Sequence, residues 1–266
     1  MPTTPTTPTI AKSATGTADL WTRLRQFTRA RVALGRTGHA QTTDTVLAFG
    51  LAHAQARDAV HLPLDARAID ATLHEAGLDA LHVLHVHSAA HDRDQYLRRP
   101  DLGRTLDDDS RAQLVPDAQP YDVVFVIADG LSALAAQRHG VALLQAVLAR
   151  LRQWRVGPIV VARQARVALG DEIGERLHAR QVVMLIGERP GLSSPDSLGI
   201  YLTFDPRVGR TDAQRNCISN VRPEGLSYAQ AADRLVFLMR GAVALGRSGV
   251  DLKDDSVAVE ATLPGK

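Results

Sequence analysis

One stretch of the chain, residues 182–225, reads VVMLIGERPGLSSPDSLGIYLTFDPRVGRTDAQRNCISNVRPEG. It opens on the apolar run Val182–Ile186, which glycine and proline follow closely. Such a run is typical of a buried strand that ends in a loop. A second apolar run, Leu198–Phe204, precedes a segment that starts at Arg215 and holds the only cysteine, Cys217. We predict that this last segment is a polar loop.

The end of the first run carries a charged pair, Glu188 and Arg189, between Gly187 and Gly191. Open α/β sheets bind ligands outside the carboxyl ends of their strands, so this turn is a candidate site. The same residues also fit a structural turn in which Glu188 and Arg189 pair in solvent. The residue types alone do not separate the two interpretations.

Apolar runs and helical patterns alternate through the second half of the chain. The predicted strands are Val123–Ala128, Pro158–Ala162 and Val182–Ile186. Ser132 is placed to cap a helix after the first strand, Asp171–Ala179 fits a short helix after the second, and Ser227 is placed to cap a last long helix. This alternation predicts βαβ units and an α/β fold with a mainly parallel sheet.

The first half of the chain has mainly helical patterns, whereas the arginine-rich segment Tyr96–Arg104 is predicted to be loop-like. A helix is predicted at about Thr43–Val60, with Leu47, Leu51 and Ala54 as its apolar stripe, and another at Asp65–Ala76 with Gly77 as its stop. We therefore divide the chain into a disordered Pro- and Thr-rich tail (1–18), a small helical N-terminal domain (19–104), an α/β domain (105–254) and a loose C-terminal tail (255–266).

The composition excludes several classes of protein. The chain has 266 residues, with 31 basic against 29 acidic side chains, which lacks the basic excess of a general nucleic-acid binder. A single cysteine excludes an internal disulfide framework and fits a reducing compartment. No apolar run approaches the roughly 18 residues that span a bilayer.

Four histidines crowd into one segment: His82, His85, His87 and His91. Their spacing matches no standard zinc pattern, and no cysteine or glutamate joins them, so we predict no metal site here.

The strand ends lack the usual nucleotide motifs. No G-x-G-x-x-G follows the first strand and no G-x-x-x-x-G-K-[ST] occurs, so a dinucleotide or P-loop nucleotide site is not expected. D-x-H-x-x-G, the signature of cobalamin bound with a protein histidine in place of its lower base, is also absent. Asp129 follows the first strand and is a possible carboxylate nucleophile, while Cys217 is a possible thiolate nucleophile if Arg215 stabilises its charge. The residues alone thus leave open a free-standing α/β hydrolase or transferase that uses Asp129 or Cys217.

Six segments, in order along the chain, resemble the small (light) subunit of adenosylcobalamin-dependent ethanolamine ammonia-lyase. They are Ala30–Gly38, Tyr96–Arg104, Ala128–Ser132, Gly170–Glu175, Leu185–Leu192 and Asn216–Asn220. The resemblance implies a helical N-terminal domain followed by a Rossmann-like domain that contacts base-on adenosylcobalamin. It also implies a large-subunit partner that binds ethanolamine, and a holoenzyme that forms acetaldehyde and ammonia by radical chemistry.

The resemblance further implies three cofactor-binding residues in this chain: Val167, Glu188 and Cys217. In this interpretation Glu188 accepts hydrogen bonds from corrin amides, and Val167 and Cys217 pack on the macrocycle. The resemblance implies a cytoplasmic location, with the inside of a bacterial microcompartment as the alternative. Prolines at positions 2, 5 and 8 would break an N-terminal targeting helix.

Overall fold

The computed structural model describes Trp21 and residues 23–28, 30–32, 34–78 and 80–256. The predicted tail 1–18 and residues 257–266 lie outside the described residues. The chain divides into two compact units, Met1–His53 and Ala54–Lys266. The division at residue 104 stays a prediction.

A short antiparallel hairpin, β1 (Arg36–Thr37) and β2 (Ala40–Gln41), precedes α1 (Thr43–His61). The helix has nearly its predicted bounds, but the predicted apolar stripe is wrong. Leu47 and Leu51 are 65% and 62% exposed. The residues that α1 buries are the small Ala52 and Ala59, and the described part of the chain leaves its Leu47 and Leu51 side chains mostly uncovered.

The second helix, α2 (Ala66–Glu75), forms as predicted. The Asp65 carboxylate accepts a hydrogen bond of 3.1 Å from the Ala68 amide and caps the first turn. Ile69 and Leu73 fall on one face and are buried. Gly77 follows the helix with a φ of 70°, a left-handed conformation that glycine adopts easily and that ends the helix.

A six-stranded sheet forms the centre of the second unit. Its strands are β3 (Val83–His87), β4 (Val123–Ala128), β5 (Val156–Arg163), β6 (Gln181–Gly187), β7 (Leu198–Phe204) and β8 (Arg215–Val221). Their order is β3-β5-β4-β6-β7-β8. The first three pairings are parallel and the last two antiparallel, so the predicted α/β class with a mainly parallel sheet is confirmed.

The prediction of a polar loop at Arg215–Cys217 is wrong, because these residues begin strand β8. The strand pairs with β7 and buries Arg215, Ile218 and Val221, while Cys217, Ser219 and Asn220 are exposed. A strand whose buried positions include an arginine lacks the apolar alternation by which strands are recognised.

The segment Tyr96–Arg104 was also expected to be loop-like, and it is largely helical. Helix α3 (Arg93–Arg98) begins after Asp92, whose carboxylate accepts 2.7 Å from the Gln95 amide, and a 3-10 turn covers Leu102–Arg104. Because α3 is only 6 residues long, it shows too few turns for a helical period to appear in the sequence.

The remaining helices are α4 (Asp108–Gln113), α5 (Ala133–Leu148), α6 (Leu169–Arg176) and α7 (Tyr228–Leu245). Ser132 and Ser227 cap α5 and α7 as predicted. Alternate residues of β4 point to opposite sides of the sheet. Phe125 and Ile127 pack in the cluster that includes α5 and α7, whereas Val124 and Val126 pack in the cluster that includes α6.

Helix α5 connects β4 to β5 on one side of β4, and α6 connects β5 to β6 on the other side. The carboxyl ends of these three parallel strands therefore open at one edge of the sheet, at a change of winding direction where ligands bind in such folds. No helix in the described part of the chain is both long and apolar enough to cross a membrane.

Candidate functional site

A cavity of about 470 Å³ lies at the carboxyl ends of β4, β5 and β6. The turn after each of these strands contributes to its wall. The lining side chains that matter for its chemistry are Tyr96, Arg166, Val167, Glu188, Arg189 and Tyr201. The structure thus brings Val167 and Glu188 into one cavity.

Two glycines form part of the cavity wall. Gly130 has a φ of 54°, and a Cβ at this position would overlap the Gly187 carbonyl. A Cβ at Gly187 would in turn overlap the backbone at Ser132. The Leu131 amide donates to the Gly187 carbonyl at 2.9 Å, so the turns after β4 and β6 are in direct backbone contact. Any side chain at either position would push the two turns apart.

Asp129 directly follows β4 and is almost fully buried, at 2% exposure. Its carboxylate accepts from the amides of Gln164 and Ala165 at 2.7 and 2.9 Å and lies 3.6 Å from the Arg93 guanidinium. Burial raises the pKa of Asp129, and the amides and Arg93 oppose that rise. Since both oxygens hold the turn after β5, the geometry favours a structural role over that of a nucleophile.

Tyr96 is fully buried between two guanidinium groups. The central carbons of Arg93 and Arg166 lie 4.7 and 4.2 Å from its ring centroid, within the range of cation–π attraction. Its hydroxyl donates to the Ala165 carbonyl at 3.0 Å. Sequence reasoning placed Tyr96 in a loop and missed this role, although an aromatic residue beside arginines is the expected composition of such a stack.

The turn that carries Val167 is therefore held from two sides. Asp129 binds its amides, and Tyr96 binds the Ala165 carbonyl. The Arg166 amide also donates to the Gly103 carbonyl at 2.7 Å. Val167 follows at once, partly exposed and facing the cavity just before α6.

Glu188 has its own set of partners on the opposite wall. Oε2 accepts from the Ser197 hydroxyl at 2.5 Å and from the Asn220 amide at 3.2 Å. The Glu188 amide donates to the Ser197 carbonyl at 3.0 Å. Among the described residues Glu188 forms no ion pair with Arg189. The interpretation as a solvent-paired Glu–Arg turn is thus wrong, and the carboxylate is fixed by its neighbours on the sheet.

Cys217 lies outside the set of residues that line the cavity. It is exposed on β8, directly across from Tyr201 of β7, and Tyr201 lines the cavity. Burial raises the pKa of the Tyr201 hydroxyl, and the neighbouring thiol raises it further. Cys217 is therefore next to the cavity, and Tyr201 lies between them.

Arg215 does not serve as a partner for the Cys217 thiolate. Its guanidinium binds both carboxylate oxygens of Asp171, at 2.5 and 2.6 Å, and both side chains are 2% exposed. Within the described part of the chain, the hydrogen bond of Cys217 goes to the Ser219 hydroxyl at 3.4 Å. No described base is thus positioned to activate the thiol.

Two of the four clustered histidines, His85 and His87, have side-chain partners. His85 pairs with Asp70 at 3.1 Å, and Nδ1 of His87 lies 2.7 Å from the Ser88 carbonyl. The described residues contain no group of three or more histidine, cysteine or acidic side chains that is arranged to hold a metal ion.

Comparison with known proteins gives a consistent result. The family model "Ethanolamine ammonia-lyase light chain (EutC)" matches residues 18–253. A relative from Ralstonia nicotianae, named ethanolamine ammonia-lyase small subunit, is 58% identical over 91% of this chain and 90% of its own length. A relative of the same name from Azotobacter vinelandii is 56% identical over 90% of this chain and 90% of its own length. Another from Xanthomonas campestris is 52% identical over 95% of this chain and 91% of its own length.

Proposed function

The chain belongs to the ethanolamine ammonia-lyase light chain family, and on that premise we propose that its cavity forms one wall of an adenosylcobalamin site shared with a large subunit. The chain is the small subunit of a lyase that acts as a multi-subunit enzyme. The proposed reaction is the conversion of ethanolamine to acetaldehyde and ammonia, with ethanolamine bound by the large subunit.

The observation that carries this proposal is the position of Val167 and Glu188. They follow different strands, β5 and β6, yet line the same cavity at the edge where α/β sheets bind ligands. The third proposed contact, Cys217, lies across from Tyr201 on the same side of the cavity. Two of the three positions that the resemblance implies thus line one cavity, and the third lies beside it.

The donor and acceptor groups of the cavity fit the periphery of a corrin ring. Corrin side chains are amides, which both donate and accept hydrogen bonds. Glu188 supplies a fixed acceptor, and Arg166 and Arg189 supply donors. Val167 and the Tyr201 ring add apolar contact surface between these polar groups.

The size of the cavity supports a shared site. Cavities of about 300–1,000 Å³ hold drug-sized molecules, and cobalamin is considerably larger. The 470 Å³ cavity is thus large enough for only one part of it. In addition, Val46, Leu47, Phe49 and Leu51 of α1 are 48–65% exposed, and exposed apolar residues of this size on one helix are typical of a surface that a partner covers.

The chemical roles of the two subunits are expected to differ. Bound adenosylcobalamin supplies a radical through homolysis of its cobalt–carbon bond. The residues of this chain bind and orient the cofactor. They are not expected to act as nucleophiles, because Asp129 is occupied by backbone amides and Cys217 has no described base beside it. We therefore expect the isolated chain to have no lyase activity.

The base-on state of the cofactor belongs to the proposal because the family resemblance implies it, and the lack of a D-x-H-x-x-G segment in the chain agrees with it. A cytoplasmic location, with encapsulation in a microcompartment as the alternative, also belongs to this proposal.

The test compares the purified chain, the purified large subunit and the assembled complex, each with adenosylcobalamin. We expect a retained corrin absorption spectrum and ammonia release from ethanolamine in the complex alone. Steady ammonia release by this chain without the large subunit would contradict the proposal and would favour the free-standing enzyme that uses Asp129 or Cys217.

A further inference from the structure

Arg166 is held rigidly at the β5 side of the cavity. Its guanidinium stacks on the Tyr96 ring at 4.2 Å, and Nη2 donates to the Tyr96 carbonyl at 3.3 Å. Gly103 packs so closely on the Arg166 stem that a Cβ there would lie 2.9 Å from Cγ. A side chain held in this way loses little conformational entropy when a ligand binds.

Most hydrogen-bond donors of Arg166 have no partner among the described residues. A guanidinium carries five N–H donors. Among the described residues the one side-chain bond of Arg166 is the long contact to Tyr96, and its Nε is buried without a partner. A buried donor without an acceptor destabilises a structure, so a ligand oxygen that accepts a hydrogen bond from this guanidinium would stabilise the site.

The cavity therefore carries a hydrogen-bond acceptor on one side and hydrogen-bond donors on the other. The β6 side presents the fixed carboxylate of Glu188, and the β5 side presents the fixed guanidinium of Arg166. An amide side chain offers an NH₂ donor to the first and a carbonyl acceptor to the second. A ring that bears several amides is able to satisfy both walls at once.

We propose that Arg166 is a cofactor-binding residue that donates a hydrogen bond to the carbonyl oxygen of a corrin amide side chain, opposite the amide that Glu188 binds. This inference rests on the proposed function and adds a contact that also determines specificity. It makes Arg166 sensitive to the charge of the group it faces, because a guanidinium binds a carboxylate more strongly than an amide.

The experiment uses the assembled complex with the large subunit and three forms of this chain: the wild type and the two variants Arg166→Gln and Arg163→Gln. Arg163 is an exposed arginine at the end of the same strand and serves as the matched control. The probes are cyanocobalamin and its peripheral monocarboxylates, in each of which one propionamide is hydrolysed. Affinity is measured by absorption titration, and circular dichroism and gel filtration check folding and assembly.

We expect Arg166→Gln to weaken cyanocobalamin binding by about ten- to a hundredfold, the effect of losing a charge-assisted hydrogen bond. Arg163→Gln should change it by less than about twofold. One monocarboxylate should bind the wild-type complex at least as well as cyanocobalamin does, and this same derivative should show the largest loss with Arg166→Gln.

Two results would overturn the inference. One is equal cyanocobalamin affinity in wild type and Arg166→Gln. The other is an equal loss for cyanocobalamin and for every monocarboxylate, which identifies Arg166 as a support for the Tyr96 stack and nothing more. Absence of cobalamin binding by the wild-type complex is a different outcome, since it refutes the proposed function as well.

Discussion

The hydroxyl of Ser197 donates a hydrogen bond of 2.5 Å to the Glu188 carboxylate, and the Ser197 carbonyl accepts from the Glu188 amide at 3.0 Å. These two contacts join the end of β6 to the start of β7 and close the loop between them. The Glu188 carboxylate is therefore positioned before any ligand arrives. A pre-positioned acceptor costs little entropy on binding, which is the physical basis for its assigned role.

The role of Asp129 is tested by Asp129→Asn. An asparagine keeps the shape but has one acceptor oxygen, so either Gln164 or Ala165 loses its partner, and Arg93 loses its carboxylate. We expect a loss of about 1–3 kcal/mol in the free energy of unfolding. Urea denaturation measures this, with the exposed Asp101→Asn as control. In the folded complex, lyase turnover should persist; its complete loss would support a nucleophilic Asp129.

The buried pair of Asp171 and Arg215 should be the most sensitive ionic contact that we describe. Replacement of one partner leaves the other charge buried and uncompensated, which costs about 3–5 kcal/mol. We expect this loss for Asp171→Asn in urea unfolding at 25 °C. The exposed pair Arg247–Asp251, at 3.1 Å, is the matched control, and Asp251→Asn should cost less than about 1 kcal/mol. Equal effects of the two variants would contradict the assigned importance of burial.

His139 should make stability depend on pH. Burial lowers its pKa below the ordinary value of 6.5, while Asp196 and Glu224 oppose the shift and Arg138 adds to it. The Tyr228 hydroxyl lies 2.7 Å from Nδ1. A lowered pKa means that the unfolded chain binds the proton more tightly. This contribution to stability is thus complete above pH 6.5 and is lost as the pH falls from there towards the folded-state pKa.

The measurement is the urea midpoint of wild type and His139→Gln between pH 8 and pH 5. The wild-type midpoint should fall more steeply below pH 6.5 than that of the variant. Parallel curves would show that His139 does not titrate differently on folding.

Much of the fold follows from local patterns in the sequence. The runs at β4, β6 and β7 are continuous and apolar because these strands are mostly covered on both faces, and Asp65, Ser132 and Ser227 cap helices as their side chains predict. The exceptions have definite causes. Strand β8 buries Arg215, and this burial depends on the bond between Arg215 and Asp171, which lies 44 residues earlier in the chain.

The site was predicted less completely than the fold. Glu188 was found because it follows an apolar run directly, whereas its partners Ser197 and Asn220 come from other segments. The stack of Arg93, Tyr96 and Arg166 depends on a contact between residues 70 positions apart. No local pattern in a single sequence encodes such a contact. Leu47 and Leu51 were assigned to the core because sequence does not distinguish an apolar residue that the chain covers from one that it leaves exposed.

The central claim is that this chain provides a cobalamin-binding wall through Glu188. Its most direct test is the affinity of adenosylcobalamin for the assembled complex with wild type, Glu188→Ala or Glu224→Ala. Glu224 is exposed and has no described hydrogen bond, so it serves as the matched control. We expect Glu188→Ala to lower the affinity by roughly ten- to a hundredfold in a folded, assembled complex, and Glu224→Ala to leave it unchanged. Equal affinity for wild type and Glu188→Ala would contradict the account.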